Sequence, residues 1–310
     1  YFDRVMAADR MSHAYLLHGP DRVGKRAMAY AIARSLLCPQ YKKGSQSIAD
    51  AGDDCRVCRE IDAGTHPGFV LLDRIHTLVS DKEMRSEIPI EDIRELKRRF
   101  AFAAVGDAWR IAIIDGIDTM SRDAEVAFLK LLEEPGIRTL FLLVASSRDA
   151  VPPTIVSRAT PVLFAPVPDA ALVPYIRAHV PKENIEDIRA LAEGRPGMIV
   201  EWVQDPRKFA EEKKFAAFFA GAFAGGIAGA LALSEKAADD EVMRRGSQYA
   251  WIAHLRRRLG AASGAERMGA AHRIARALDL AGVMDDTNVN VRLALDVMFV
   301  EAVSSPKISG

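Results

Sequence analysis

The first half of the chain alternates five short apolar runs with segments of helical periodicity, and that alternation restricts the fold more than any other feature. The runs are "HAYLLHG" from His13, "FVLLD" from Phe69, "RIAIIDGID" from Arg110, "TLFLLVASS" from Thr139 and "TPVLFAP" from Thr160. Between them, "KRAMAYAIARSLLC" repeats apolar side chains at Met28, Ile32, Leu36 and Leu37, and "IEDIRELKRRFAFA" does so near every third or fourth position. In "SRDAEVAFLKLLEEP", Ser121 is placed as an N-cap and Pro135 lies just beyond the end, the punctuation of a helix. Strands alternating with helices predict an α/β fold with a mostly parallel sheet covered on both faces.

After Pro166 the composition shifts. From "VPDAALVPYIRAHV" through "IEDIRALAEGRPGMIVEWV" the chain reads as short helices broken by Pro and Gly, and from about Phe209 to Val303 nearly everything is helical in period. Three domains are expected: an α/β domain over 1–165, a small helical domain over 166–208 and an all-helical domain over 209–310. No internal repeat and no low-complexity tail interrupts this plan. A length of 310 residues accommodates it, since domains commonly hold 50–250 residues.

Charge and cysteine usage narrow the class. Lys plus Arg equal Asp plus Glu at 42 each, so no bulk positive field advertises direct nucleic-acid binding. The basic runs "ELKRRF" and "HLRRRL" read as solvated helix faces. Three cysteines, two of them in a C-x-x-C pair at Cys55 and Cys58, point to metal or free thiols in a reducing setting rather than to a disulfide scaffold. With no cleavable signal peptide ahead of the first structured segment, a cytoplasmic location is expected. The run "FAAFFAGAFAGGIAGALALS", Phe215 to Ser234, has 20 residues without a charge, long enough to cross a bilayer. It is rich in Ala and Gly and has no flanking Trp or Tyr belt. A close-packed helix pair around Gly225–Gly226 is the expected outcome, with no membrane association.

"GPDRVGKRA" stands between the first strand and the first long helix, the context of a phosphate-binding loop. Gly19, Gly24 and Lys25 satisfy G-x-x-x-x-G-K-[ST], whose glycines let backbone N–H groups wrap phosphates while the lysine adds a point charge. Arg26 replaces the final Ser or Thr, whose hydroxyl ligates Mg²⁺, and a guanidinium has no lone pair for a cation. Asp115 ends the third strand where a Mg²⁺-holding carboxylate belongs. Gly116 follows it where many ATPases place a glutamate that readies the attacking water, and Asp118 is a poor substitute. Ser146 and Ser147, after the fourth strand, read either as γ-phosphate sensors or as a plain strand-to-loop turn. In "PPTIVSRATPVLF", Ser157 and Arg158 lie at the sheet edge. Arg158 reads either as a solvated loop residue or as an arginine aimed at a neighbouring subunit.

Together these segments resemble a known family. "HAYLLHGPDRVGK", "CRVCREIDAGTHPG", "IPIEDIRELKRRF", "IIDGIDTMSRDAEVAFLKLLEEP", "TLFLLVASS" and "IVSRA" follow the order and spacing of bacterial clamp-loader AAA+ subunits. Among these, the delta-prime subunits of DNA polymerase III clamp loaders are the closest in pattern. The resemblance is strong over Tyr1 to about Phe164, weaker through Gly197, and rests on helical character alone beyond. It implies an AAA+ P-loop-type domain, a small helical lid and a helical collar that oligomerises. It implies partners as well: other clamp-loader subunits (delta and gamma/tau), the sliding clamp, and primed DNA through the complex. Delta-prime subunits are stators whose own nucleotide site is commonly degraded, while a Ser-Arg finger serves the adjacent motor. Arg26, Gly116 and Met198, the last where a lid arginine often stands, fit that pattern. Ala159 departs from it, since cysteine usually follows Ser-Arg.

On this reading Ser157 and Arg158 act in trans on a partner's ATP. Gly19, Gly24, Lys25 and Asp115 form a degenerate site for ATP or ADP, with Mg²⁺ poorly held. Little ATPase activity of the chain's own is expected. The alternatives are an ATP-hydrolysing motor subunit of gamma/tau type and, more remotely, an unrelated P-loop kinase. The resemblance also implies a four-cysteine zinc module at about 38–58, to which Cys38, Cys55 and Cys58 correspond, with Gly52 where a further cysteine is usual. Structural zinc takes four ligands, so either Asp53, Asp54 or His66 completes the set, or the metal is lost and the cysteines are plain reduced thiols.

Overall fold

The computed structural model describes residues 1–41, 47–52, 54–76, 78, 87–102, 108–240 and 290–303. Asp53, the run "HLRRRL" and much of the expected C-terminal helical domain (241–289 and 304–310) lie outside the described residues. The chain divides into two compact units, Tyr1–Glu201 and Trp202–Gly310.

The first unit is built on five parallel strands among the described residues: β1 (Ala14–His18), β2 (Phe69–Leu72), β3 (Arg110–Asp115), β4 (Thr139–Ala145) and β5 (Thr160–Leu163). Their order across the sheet is β2-β3-β4-β1-β5. All seven residues of β4 are buried, which matches an apolar central strand covered on both faces. Pro161 cannot donate to a strand ladder and is tolerated at an edge; β5 is an edge strand.

Two helical layers cover the sheet. One face carries Tyr15, Leu17, Ile111, Ile113, Leu140 and Leu142, packed with α1 (Phe2–Ala7), α2 (Lys25–Leu37) and α3 (Arg56–Asp62). The other face carries Leu16, Ala112, Ile114, Phe141 and Leu143, packed with α4 (Ile90–Phe102), α5 (Arg122–Glu133) and α6 (Pro153–Val156). The alternation along each strand thus sends successive residues into two separate cores. On α5, Ala124, Phe128 and Leu132 recur at helical spacing and are buried, with the Phe128 ring edge-on to Phe141 at 5.3 Å between centroids. Burying one such side chain is worth about 1.5–3 kcal/mol. Ser121 caps α5 as expected, its side chain accepting from the Ala124 N–H at 3.3 Å.

The third strand is shorter than its apolar run. It ends at Asp115, because Gly116 adopts a left-handed φ of 87° and a single 3₁₀ turn, Ile117–Thr119, follows. Beyond β5 come α7 (Asp169–His179), α8 (Ile185–Ala192) and α9 (Pro196–Gln204), each ended by Pro or Gly punctuation or by an extended residue.

In the second unit, α10 (Pro206–Ala224), α11 (Gly226–Asp239) and α12 (Val291–Val303) are described. The long uncharged run is divided between α10 and α11, with the break at Gly225 and a φ of 66° at Gly226. A Cβ on Gly229 would lie 2.1 Å from the Ala222 carbonyl oxygen, so only glycine allows the two helices to approach this closely. Among the described residues no helix is long and apolar enough to cross a membrane. The helix α11 packs on α12, where the buried Ser234 hydroxyl donates to Asp296.

Candidate functional site

The parallel strands deliver β1, β2 and β3 to the same end of the sheet, and the loop after β1 meets two carboxylates there. Gly19 leaves β1 with a φ of 141°, and a Cβ at this position would lie 2.1 Å from the Phe164 carbonyl oxygen. Gly24 is the N-cap of α2 with a φ of 100° and open space around it. The first glycine is therefore demanded by both crowding and dihedral, the second by dihedral alone. Lys25, the first residue of α2, is buried; its Nζ donates to the Gly19 carbonyl and, at 2.8 Å, to the Pro20 carbonyl.

Arg26 reaches across to the ends of two strands. Its Nη1 lies 2.9 Å from Asp73 Oδ2 and 3.2 Å from Asp115 Oδ2. Burial opposes the guanidinium charge, but Asp115, Tyr30 and Asp73 more than offset it and raise its pKa. Burial raises the Asp115 pKa, only partly countered by Arg26. Burial pushes Asp73 the same way, but hydrogen bonds from His76 and Ile75 overcome it and leave the carboxyl below its ordinary value. The His76 Nδ1 lies 2.8 Å from Asp73 Oδ2.

Asp73 belongs to no motif, yet a sequence signal marks it. Leu72 on β2 stands in register with Ile114 on β3, and each strand is followed or ended one residue later by aspartate. Two parallel strands in register carry such carboxylates to the same place.

The remaining polar groups around the loop are engaged nearby. Ser146 donates its hydroxyl to Asp118 Oδ2 at 2.6 Å and its N–H to the same atom at 3.2 Å. The Ser147 hydroxyl accepts from the Asp149 N–H at 3.2 Å. Gly116 offers no side chain, and its carbonyl accepts from Thr119 Oγ1 at 2.7 Å. Met198 sits on α9, whose Gly197 N–H donates to the Arg22 carbonyl at 2.9 Å. The neighbouring Arg195 is turned back onto α8, donating to the Ala192 and Leu191 carbonyls at 3.1 and 3.2 Å.

Ser157 and Arg158 lie elsewhere. They follow α6, in the layer opposite α2. The Arg158 Nη2 donates to Glu133 Oε1 at 2.7 Å, and its Nη1 to the Thr154 carbonyl at 3.0 Å and Ser157 Oγ at 3.3 Å. Glu133 belongs to the "LLEEP" segment that ends α5.

The three cysteines converge. Cys38 follows α2, and Cys55 caps α3, its sulfur accepting from the Cys58 N–H at 3.4 Å. Their sulfurs all lie within 4.8 Å of one another, the geometry of a shared metal ligand set. No further described His, Cys, Asp or Glu joins this group, so neither Asp54 nor His66 supplies a fourth ligand here. His66 is occupied otherwise, its Nδ1 accepting from the Gly68 N–H at 3.1 Å. A side chain at Gly52 would press on Arg34, whose Cδ lies 3.0 Å from a Cβ built there. The thiols would suit a soft ion such as zinc, for which the described residues offer three ligand atoms.

Comparison with known proteins bears on the same region. A family model described as DNA polymerase III, delta subunit, matches residues 1–168. The DNA polymerase III subunit delta' of Pseudomonas aeruginosa is 32% identical over 189 residues, which cover 60% of this chain and 54% of that protein. The subunit gamma of Buchnera aphidicola is 28% identical over 181 residues, covering 58% and 46%. The subunit delta' of Bacillus subtilis is 29% identical over 164 residues, covering 53% and 45%. The chain spans about half the length of these curated relatives.

Proposed function

The chain belongs to the DNA polymerase III delta-subunit family, and from that premise we propose that it is a non-motor, delta-prime-type stator of the clamp loader. In this role it assembles with delta and gamma/tau subunits in the cytoplasm. It helps load the sliding clamp onto primed DNA and lends Arg158 to the ATP held by a neighbouring motor. The lid over 166–208 and the collar over 209–310 belong to the same proposal.

The observation that carries it is the Arg26 guanidinium between Asp73 and Asp115. Hydrolysis needs a metal that bridges the β- and γ-phosphates and a group that orients water. Arg26 stands where the metal-ligating hydroxyl belongs, and Gly116 stands where the water-orienting carboxylate belongs. Arg158, by contrast, is in the layer opposite α2 and its contacts run to Glu133, Thr154 and Ser157. A cation there suits an ATP held by another chain, where it would offset charge developing on the transferred phosphoryl group.

The gamma-type relative favours the motor reading, and one assay separates the two. Purified alone with Mg²⁺, the chain is expected to hydrolyse ATP no faster than Lys25→Ala. A clear excess of wild type over the variant would establish a motor.

Zinc completes the proposal. Cys38, Cys55 and Cys58 would hold it and so tie the end of α2 to the start of α3. Metal analysis is expected to give about one zinc per chain, as closed structural sites do. Zinc-free protein after purification without chelators would contradict this.

A further inference from the structure

Arg26 does more than delete a hydroxyl. Its side chain starts at the helix position where a phosphate loop begins to ligate its metal, and its charged end finishes between two carboxylates. The Nη1 is 2.9 Å from Asp73 Oδ2 and 3.2 Å from Asp115 Oδ2. Asp73 is 7% exposed. Its Oδ1 accepts from the Ile75 N–H at 2.8 Å and from the His76 N–H, so the carboxylate is held in place from below. The guanidinium also lies over the Tyr30 ring, 5.9 Å from its centroid, one turn along α2.

We propose that Arg26 is a tethered replacement for a divalent cation: Asp73 and Asp115 form a latent metal site that the chain fills permanently with its own charge. The proposal concerns the pocket itself and stands apart from the role of Arg158. Two carboxylates meeting at one point need a counter-ion. A guanidinium supplies one positive charge and N–H donors without any lone pair. A dication arriving beside it would meet a fixed like charge within a few ångströms at a half-buried site, where repulsion exceeds that in bulk water. A motor's metal arrives with nucleotide and leaves with product. This one is covalently bound and does neither, so the loop and strand ends it joins hold one arrangement whatever the magnesium level.

The test uses Mn²⁺ alone as probe, with bound ion counted by electron paramagnetic resonance on the full chain. Wild type is expected to bind no Mn²⁺ that Asp115→Asn removes, and its melting temperature should not respond to magnesium. Arg26→Ser should bind about one Mn²⁺, the stoichiometry of a single carboxylate site. In chelator its melting temperature should fall by about 2–4 °C, and magnesium should restore it. Arg26→Lys keeps the charge and should stay silent to Mn²⁺. Should the serine variant fail to fold, Arg26→Thr serves in its place. Mn²⁺ bound by wild type and lost in Asp115→Asn would overturn the proposal, as would a folded serine or threonine variant that takes up no Mn²⁺.

Discussion

Arg158→Ala is expected to leave the assembled complex intact while slowing hydrolysis at the one neighbouring ATP site by about 10³-fold or more, the usual worth of an arginine supplied in trans. Assembly should survive because the residue is not part of either core. Its side chain is 37% exposed and its ion pair with Glu133 joins two surface groups, an arrangement worth about 0–1 kcal/mol. Truncation strands no buried donor, so the melting temperature of the isolated chain should barely move. Arg158→Lys should recover only part of the rate, since a point charge cannot reproduce the planar fork. Size-exclusion of the complex and single-turnover ATP hydrolysis check the two halves. Unchanged turnover in a complex that still loads clamps would remove Arg158 from the mechanism.

The second large effect is on folding. Gly19→Ala is expected to destabilise the Tyr1–Glu201 unit by about 3 kcal/mol or more, whereas Gly24→Ala should cost about 1 kcal/mol. Both positions have positive φ, at 141° and 100°. They differ in surroundings: a Cβ on Gly19 meets the Phe164 backbone at 2.1 Å, while one on Gly24 meets nothing within 4 Å. The backbone oxygen of Phe164, the residue just after β5, cannot step aside as a flexible side chain would. Urea unfolding of the two variants reads the difference directly, and equal losses would show that Gly19 is kept for its dihedral alone.

Much of this architecture is legible locally. Each of the five apolar runs contains a strand; β4, central in a parallel sheet covered on both faces, is buried along its whole length, whereas the edge strand β5 is only half-buried. Ser121 and the Gly225–Gly226 break act through neighbours a few residues away, so their effect on α5 and on the α10–α11 pair is written in the local sequence. The short helices α1 and α6 are not legible in the sequence, because six and four residues hold too little period. The end of β3 at Asp115 is set by the left-handed Gly116, which an apolar pattern running on to Ile117 conceals.

The site is less legible because its pairings are remote in sequence. The loop glycines, Lys25 and Asp115 belong to a motif, and their positions follow from strand–loop–helix order. The partner that gives Arg26 its meaning, Asp73, is 47 residues away and belongs to no motif. Only the register of β2 on β3 brings it beside Asp115. Glu133, which holds Arg158, is likewise 25 residues from it. The Ser146 hydroxyl is bonded to Asp118, 28 residues earlier in the turn after β3, another pairing that no local pattern foretells. The C-x-x-C spacing marks the cysteines, but that three sulfurs converge without a fourth described ligand depends on how α3 packs near the end of α2.

The proposed stator role turns on which of two basic residues supports ATP hydrolysis in the complex. Steady-state ATPase of the reconstituted complex, with Lys25→Ala and Arg158→Ala introduced one at a time and folding verified by thermal melting, answers it. Near-normal activity for the first and a marked loss for the second is the expected result. The reverse, a loss with Lys25→Ala and none with Arg158→Ala, would mean that this pocket burns ATP itself.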